Sequence, residues 1–233
     1  MVLFARLGFW QLDRSHQKEA MLAEAHRILD ERLTVPLASA ADASQLSDYD
    51  WAQGEGHFLP GPAVLLDNQN HQGRAGIRVY RAFQPTGSAS PLLVELGWLP
   101  LPGDRKLPHV ESFHALSQVS GLLAPPPSAG MAAAIATPQP DGSLLATSLD
   151  HALISSALRL RTLAPRVLRL DPALKVGYAR DLDILPNTLP PERHLGYAVQ
   201  WFGLAAAVFI TALVLTLRKG RRRTGAAREK MAP

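Results

Sequence analysis

Residues 195–217, LGYAVQWFGLAAAVFITALVLTL, carry no charge, and RKGRRR follows at once. As an α-helix this run measures about 34 Å at 1.5 Å per residue, against a hydrocarbon core of about 30 Å. Eleven of its residues are Leu, Ile, Val or Phe. At about −0.3 to −0.6 kcal/mol each, they contribute roughly −3 to −7 kcal/mol toward insertion, before Gln200 and the glycines are counted against them. Tyr197 and Trp201 lie near its start, where amphipathic rings settle among lipid headgroups. The run reads as a transmembrane helix, and the segments before and after it are expected on opposite sides of a membrane.

Charge decides which side. The residues after Leu217 include Arg218, Lys219, Arg221, Arg222, Arg223, Arg228 and Lys230 against one acid, Glu229. The first 217 positions hold 17 basic and 19 acidic residues, so the isoelectric point of about 9.7 belongs to the tail. Such a value raises the question of nucleic acid. A basic cluster directly after a membrane span is instead the mark of a cytoplasmic end. The expectation is a cytoplasmic tail over 218–233 and an exported, periplasmic domain over 13–193 in a cell inner membrane.

The start, MVLFARLGFWQL, spans only about 18 Å as a helix and contains Arg6. It lacks the basic front and cleavage site of a signal peptide. Residues 1–12 therefore read as the remnant of a first transmembrane helix, with Met1 expected inside a longer one. From Leu12 to about Arg32 the chain has no Gly or Pro and is rich in Ala, Glu, Leu, Lys and Arg, which predicts a helix continuing into solution. Thr34-Val35-Pro36 should end it, and 38–47 reads as a loop or short helix.

The period then changes. VLLDNQ (64–69), IRVYRAF (77–83), LLVELGW (92–98) and SQVSGLLA (117–124) are short apolar or alternating runs set off by Gly, Pro, Asn and Ser, as antiparallel strands are. Residues 125–140 are rich in Pro and Ala, an irregular excursion. LDHALISSALRL (149–160) has helical spacing, with Ser148 as its expected N-cap. RVLRL and KVGYARDL (175–182) return to strand character, and Pro186, Pro190 and Pro191 stiffen the approach to the membrane. The body is expected to be an α+β domain with a small antiparallel sheet or barrel plus helices.

Chemistry is sparsely signalled. The chain contains no cysteine, which excludes disulfides, thiolate zinc sites, cysteine nucleophiles and thiolate-based copper delivery. It has no P-loop, dinucleotide fingerprint or G-x-S-x-G elbow, so an enzyme, for instance a hydrolase, is not expected. His109 and His114 bracket PHVESFH without sharing a helical face, and His57 and His71 lie in turn-rich stretches, so no metal site is expected from them.

Five landmarks occur in one order: LGFWQLDR (7–14), a glycine-rich pair of strands over 56–76, LGWLP (96–100), VSGLL, and HLGYAVQWFGLA (194–205). Together they resemble the surfeit-locus, Shy1-like, cytochrome c oxidase assembly family over the whole chain. The resemblance implies two transmembrane helices around an exported domain, the first ending in a motif like LGxWQxxR and the second opening with one like HxxYAxTWF. Three departures stand out: Leu96 where the family usually has the Arg of an Arg-Gly-Trp, Gln200 for a threonine, and an altered stretch around His16 and Lys18. The loss of that Arg weakens any role of the position in gripping a propionate or a partner's acid.

The family implies a chaperone of the respiratory chain that acts on the oxidase catalytic subunit with other assembly factors and the lipid bilayer, and that transiently holds haem a. His194, where the second helix enters the bilayer, is the expected metal ligand, with Tyr197 and Trp201 beside it; it also suits a headgroup or capping position. Trp10 and Arg14, with Gln11, occupy the matching face of the first helix. Arg14 could pair a propionate or snorkel to the interface, and Trp10 could be an interfacial anchor. Trp98 reads as sheet core. The alternative function is a membrane-anchored scaffold or sensor that binds protein without haem.

Overall fold

The computed structural model describes residues 1–111, 116–129, 133–183 and 189–229. His114 and Pro186, singled out above, lie outside the described residues. The chain divides into two compact units, Met1–Leu22 with Thr188–Pro233, and Ala23–Asn187.

The elements follow in the order α1 (Val2–Glu31), β1 (Thr34–Pro36), two 3-10 turns (Leu37–Ala41 and Ala43–Gln45), β2 (Asp50–Phe58), β3 (Val64–His71), β4 (Arg74–Pro85), β5 (Leu92–Pro100), β6 (Gln118–Ala124), β7 (Ala136–Pro138), β8 (Leu144–Ala146), α2 (His151–Ala157), β9 (Val167–Leu170) and α3 (Pro191–Glu229). α1 is continuous, as its uninterrupted helix-forming composition predicts. Pro191 opens α3 at the one position where its missing N–H costs nothing. The segment Pro191–Lys219 is long and apolar enough to cross a membrane. Its residues Val208, Phe209, Ile210, Leu213, Val214, Leu215 and Leu217 are all exposed, an all-round apolar surface suited to a lipid solvent.

The nine strands form one mixed sheet in the order β1-β2-β6-β9-β5-β4-β3-β8-β7, and a further pairing joins β2 to β4. That pairing closes β2, β6, β9, β5 and β4 into a ring, a five-stranded barrel. The expected sheet was smaller and purely antiparallel. In fact β1–β2, β3–β8 and β5–β9 are parallel. β4 is the hinge of this topology: its first half pairs with β3 and its last three residues with β2. Gly56 sits where β2 passes from β6 to β4, and a Cβ there would lie 2.2 Å from the Gln84 carbonyl oxygen.

Both faces of the central strands are buried. Leu92, Val94 and Leu96 of β5, with Val79 and Phe83 of β4 and Leu168 of β9, belong to one apolar cluster. Leu93, Tyr80 and Val167 point the other way, into a second cluster covered by Leu149 and by Ile154 of α2. This double burial is why the runs look continuously apolar. α2 is shorter than predicted, and its N-cap is Asp150 rather than Ser148: the Asp150 carboxylate accepts the Leu153 N–H at 2.8 Å. Ser148 lies two residues before the cap position, too early to reach the first turn.

Residues 175–182 were expected to form a strand and do not. They form a strap across β5, touching it as a single bridge between Trp98 and Ala179. The register of β4 on β5 shifts between Val79 and Tyr80, which leaves Leu96 as an extra residue, and Gly97 takes φ +124°. The shift frees the Leu96 carbonyl to accept the Tyr178 N–H at 2.8 Å, while the Trp98 N–H donates to Ala179 O at 2.8 Å. The Leu96 side chain is wholly buried in the apolar cluster. Trp98 is sheet core, its Nε1 donating to Gln69 O at 3.0 Å.

Beneath the strap lies a buried ion network. Glu95 accepts from Arg78 and, at 3.1 Å, from the Tyr80 hydroxyl, and Arg169 Nε approaches the same carboxylate at 3.4 Å. Asp181 of the strap lies 3.7 Å from Arg78, 3.4 Å from Arg169 and 2.7 Å from His71 Nδ1. Two guanidinium groups are thus balanced by two carboxylates, one supplied by each side of the strap contact.

Candidate functional site

In the unit that contains α3, the seam of α1 is Phe4, Gly8, Gln11, Ser15 and Lys18, a spacing of four and three that keeps one stripe facing a neighbouring helix. The matching residues of α3 are His194, Ala198, Trp201, Phe202 and Ala205. The contacts run antiparallel: Phe4 stacks on Trp201 with ring centroids 5.7 Å apart, and Phe9 meets Phe202 edge-on at 5.1 Å. A Cβ on Gly8 would sit 2.7 Å from the Phe202 ring. Ala198 and Ala205 are buried. Small residues of this kind let two helix backbones approach where no water drives them together.

Toward the N-terminus of α3 the seam turns polar. Ser15 Oγ donates to Pro191 O at 3.0 Å, and Lys18 Nζ donates to Leu189 O. Burial and the neighbouring Arg14 charge hold the Lys18 ammonium below the usual lysine range. The two contacts fix the register of α3 against α1. Between them and the aromatic pairs lies His194, only 8% exposed. Its Nδ1 is 2.7 Å from Gln11 Oε1. Its Nε2 is buried and has no hydrogen-bond partner among the described residues.

Of the residues expected at a site, His194 and Gln11 are brought together directly, and Trp201 lies two turns along the same face of α3. Trp10 (53% exposed) and Tyr197 (39% exposed) project outward. Arg14 is exposed, with a 3.1 Å bond to the neutral Gln17 amide and no carboxylate partner among the described residues. The charges acting on the His194 ring are those of Lys18 and Arg14. Gly8, Ser15 and the lysine contact were not anticipated; the four-three spacing running back from Lys18 to Phe4 was the signal that carried them.

Of the other described histidines, His16 lies on α1 but is exposed, as are His57 and His109, and His71 is engaged by Asp181. Among the described residues no group of three or more His, Asp or Glu side chains is placed to share an ion. What the seam offers is a single imidazole donor, oriented from behind, beside aromatic rings and an exposed guanidinium without a carboxylate partner among the described residues. A haem asks for that donor set: one axial nitrogen, apolar and aromatic walls, and a cation for its propionates.

The sequence model of the SURF1 family matches residues 1–206. No curated protein matches the chain.

Proposed function

The chain belongs to the SURF1 family, which is associated with cytochrome c oxidase assembly, and from that premise we propose that it takes up haem a at the mouth of the α1–α3 pair and passes it to the oxidase catalytic subunit. The observation that carries this reading is the bare, buried Nε2 of His194. A buried polar atom left without a partner costs about 1–3 kcal/mol. A cofactor that supplies the partner recovers that cost.

Bound haem supplies an iron centre that accepts a nitrogen lone pair and a broad apolar ring. The chain's residues do the rest. His194 presents the donor, held in orientation by Gln11. Trp201, stacked on Phe4, and the exposed rings of Tyr197 and Trp10 offer flat apolar surface, and Arg14 is free to pair a propionate bidentately. The barrel is left to engage the oxidase subunit or other assembly factors.

The test is purification of the full chain in detergent from a host that makes haem a. A Soret band and a co-purifying oxidase catalytic subunit are expected. His194→Ala should lose the band while remaining folded and membrane-bound, and His57→Ala, altering an exposed residue, should keep it. Wild-type protein that never takes up haem a, or an unaltered His194→Ala spectrum, would leave only a protein-binding scaffold that serves assembly without haem.

The same reading places the basic tail in the cytoplasm and the barrel in the periplasm. A C-terminal alkaline phosphatase fusion should therefore be inactive in intact cells. Strong activity would reverse the topology.

A further inference from the structure

A histidine with one nitrogen bonded to a pure acceptor and the other bare has a definite proton position when neutral. The atom of Gln11 set against His194 Nδ1, at 2.7 Å, is its carbonyl oxygen Oε1. A carbonyl oxygen only accepts, so this arrangement calls for the proton on Nδ1 and leaves the lone pair on Nε2. That is the nitrogen with no partner. Free imidazole in a histidine side chain favours the opposite tautomer, so the ring needs a fixed acceptor to hold it this way.

The acceptor's own position is fixed. Gln11 stands one helical turn from Ser15 and two from Lys18, the residues that bind the Pro191 and Leu189 carbonyls. A shift of α3 by one residue along α1 would break all three contacts together.

We infer that Gln11 is the positioning residue of the site: it fixes the Nδ1–H tautomer of His194 and thereby leaves Nε2 as the bare donor. The haem reading gives this donor its use, but the tautomer belongs to the empty protein and is measured without haem. Partners of this kind, behind a metal-ligating imidazole, typically contribute 10–100-fold to affinity. An amide suffices to orient the ring, and a carboxylate in its place would also accept the Nδ1 proton.

The experiment uses the full chain with 15N-labelled histidine in detergent, free of haem, at a pH where the ring is neutral. Long-range 1H–15N correlation should show His194 with a protonated Nδ1 and a bare Nε2. Gln11→Leu should abolish that preference, and Gln11→Glu should restore it. In haem titrations of the same proteins, Gln11→Leu should bind about 10–100-fold more weakly than wild type, with Gln11→Glu recovering most of the loss. A wild-type ring protonated on Nε2, or a tautomer indifferent to Gln11→Leu, would overturn the assignment. If the tautomer is as stated and wild type takes up no haem, the haem reading fails and the role of Gln11 toward His194 stands.

Discussion

Glu95→Ala is expected to destabilise the barrel by about 3–5 kcal/mol, the usual cost of removing one partner from a buried ion pair. The carboxylate is buried and accepts from Arg78 and Tyr80, with Arg169 beside it. Without it, two buried guanidinium groups face each other across β5 with only the half-exposed Asp181 to balance them. Each must then strip water back into the interface or force the strap off. Denaturant unfolding of the full chain, followed by Trp51 and Trp98 fluorescence, should give a much lower midpoint. Glu95→Gln, which keeps the shape and loses the charge, should fall nearly as far. Replacing Glu95, Arg78 and Arg169 together by apolar residues should recover most of the loss, because the penalty comes from stranded charge rather than from the lost bonds. An unfolding free energy for Glu95→Ala within about 1 kcal/mol of wild type would show that Asp181 alone balances the network.

The second large effect concerns the strap. Gly177 has φ +79°, and a Cβ built on it would meet Leu96 O at 2.2 Å. The obstacle is backbone, which cannot swing aside. Gly177→Ala adds about 1–2 kcal/mol of left-handed strain and pushes away the Tyr178 N–H and Ala179 carbonyl that bond β5, at about 1 kcal/mol per bond. A total of roughly 2–4 kcal/mol follows, concentrated in one segment. Hydrogen exchange should report it as faster exchange at the Tyr178 and Trp98 amides, with residues 171–183 newly open to protease and the β6–β9 ladder still protected. Equal exchange at those two amides in both proteins would mean that the strap is not held as described.

The strap also shows why some elements escaped the sequence. KVGYARDL alternates as a strand does, but Gly177 and the docking of its neighbours on a bulge make it a crossing rather than a ladder. No local pattern encodes the register shift that turns the Leu96 carbonyl outward. β2 was missed in the opposite way. DWAQGEGHF looks too polar and too rich in glycine for a core strand, yet Gly56 is required by barrel closure and Trp51, Ala52 and Phe58 are buried. By contrast, β3, β4, β5, β6 and β9 were legible because their runs are apolar or alternating and set off by turn residues. In the site, His194 stood out through its place before an apolar helix. The selection of Gln11 from among Trp10, Gln11 and Arg14 depended on helix rotation, which only the spacing back to Phe4 reveals.

Leu96 adds a local lesson. At a landmark where the family usually carries arginine, this chain puts an apolar side chain wholly inside the barrel. The position itself therefore offers no cation to a propionate or a partner's acid.

Ring closure also governs how the protein behaves among its own copies. Among the described residues, a sheet that closes through β2 and β4 offers neighbours the strands at the two ends of its order, β1 and β7. Each is three residues long, and each ends in proline, Pro36 and Pro138. Proline lacks the N–H that a further strand would need, and three residues give almost no template for one. Anchored proteins meet one another in two dimensions at high local density, where an open ladder would recruit the next chain into a growing fibril. The two short, proline-blocked rims make this domain a poor seed for cross-β assembly.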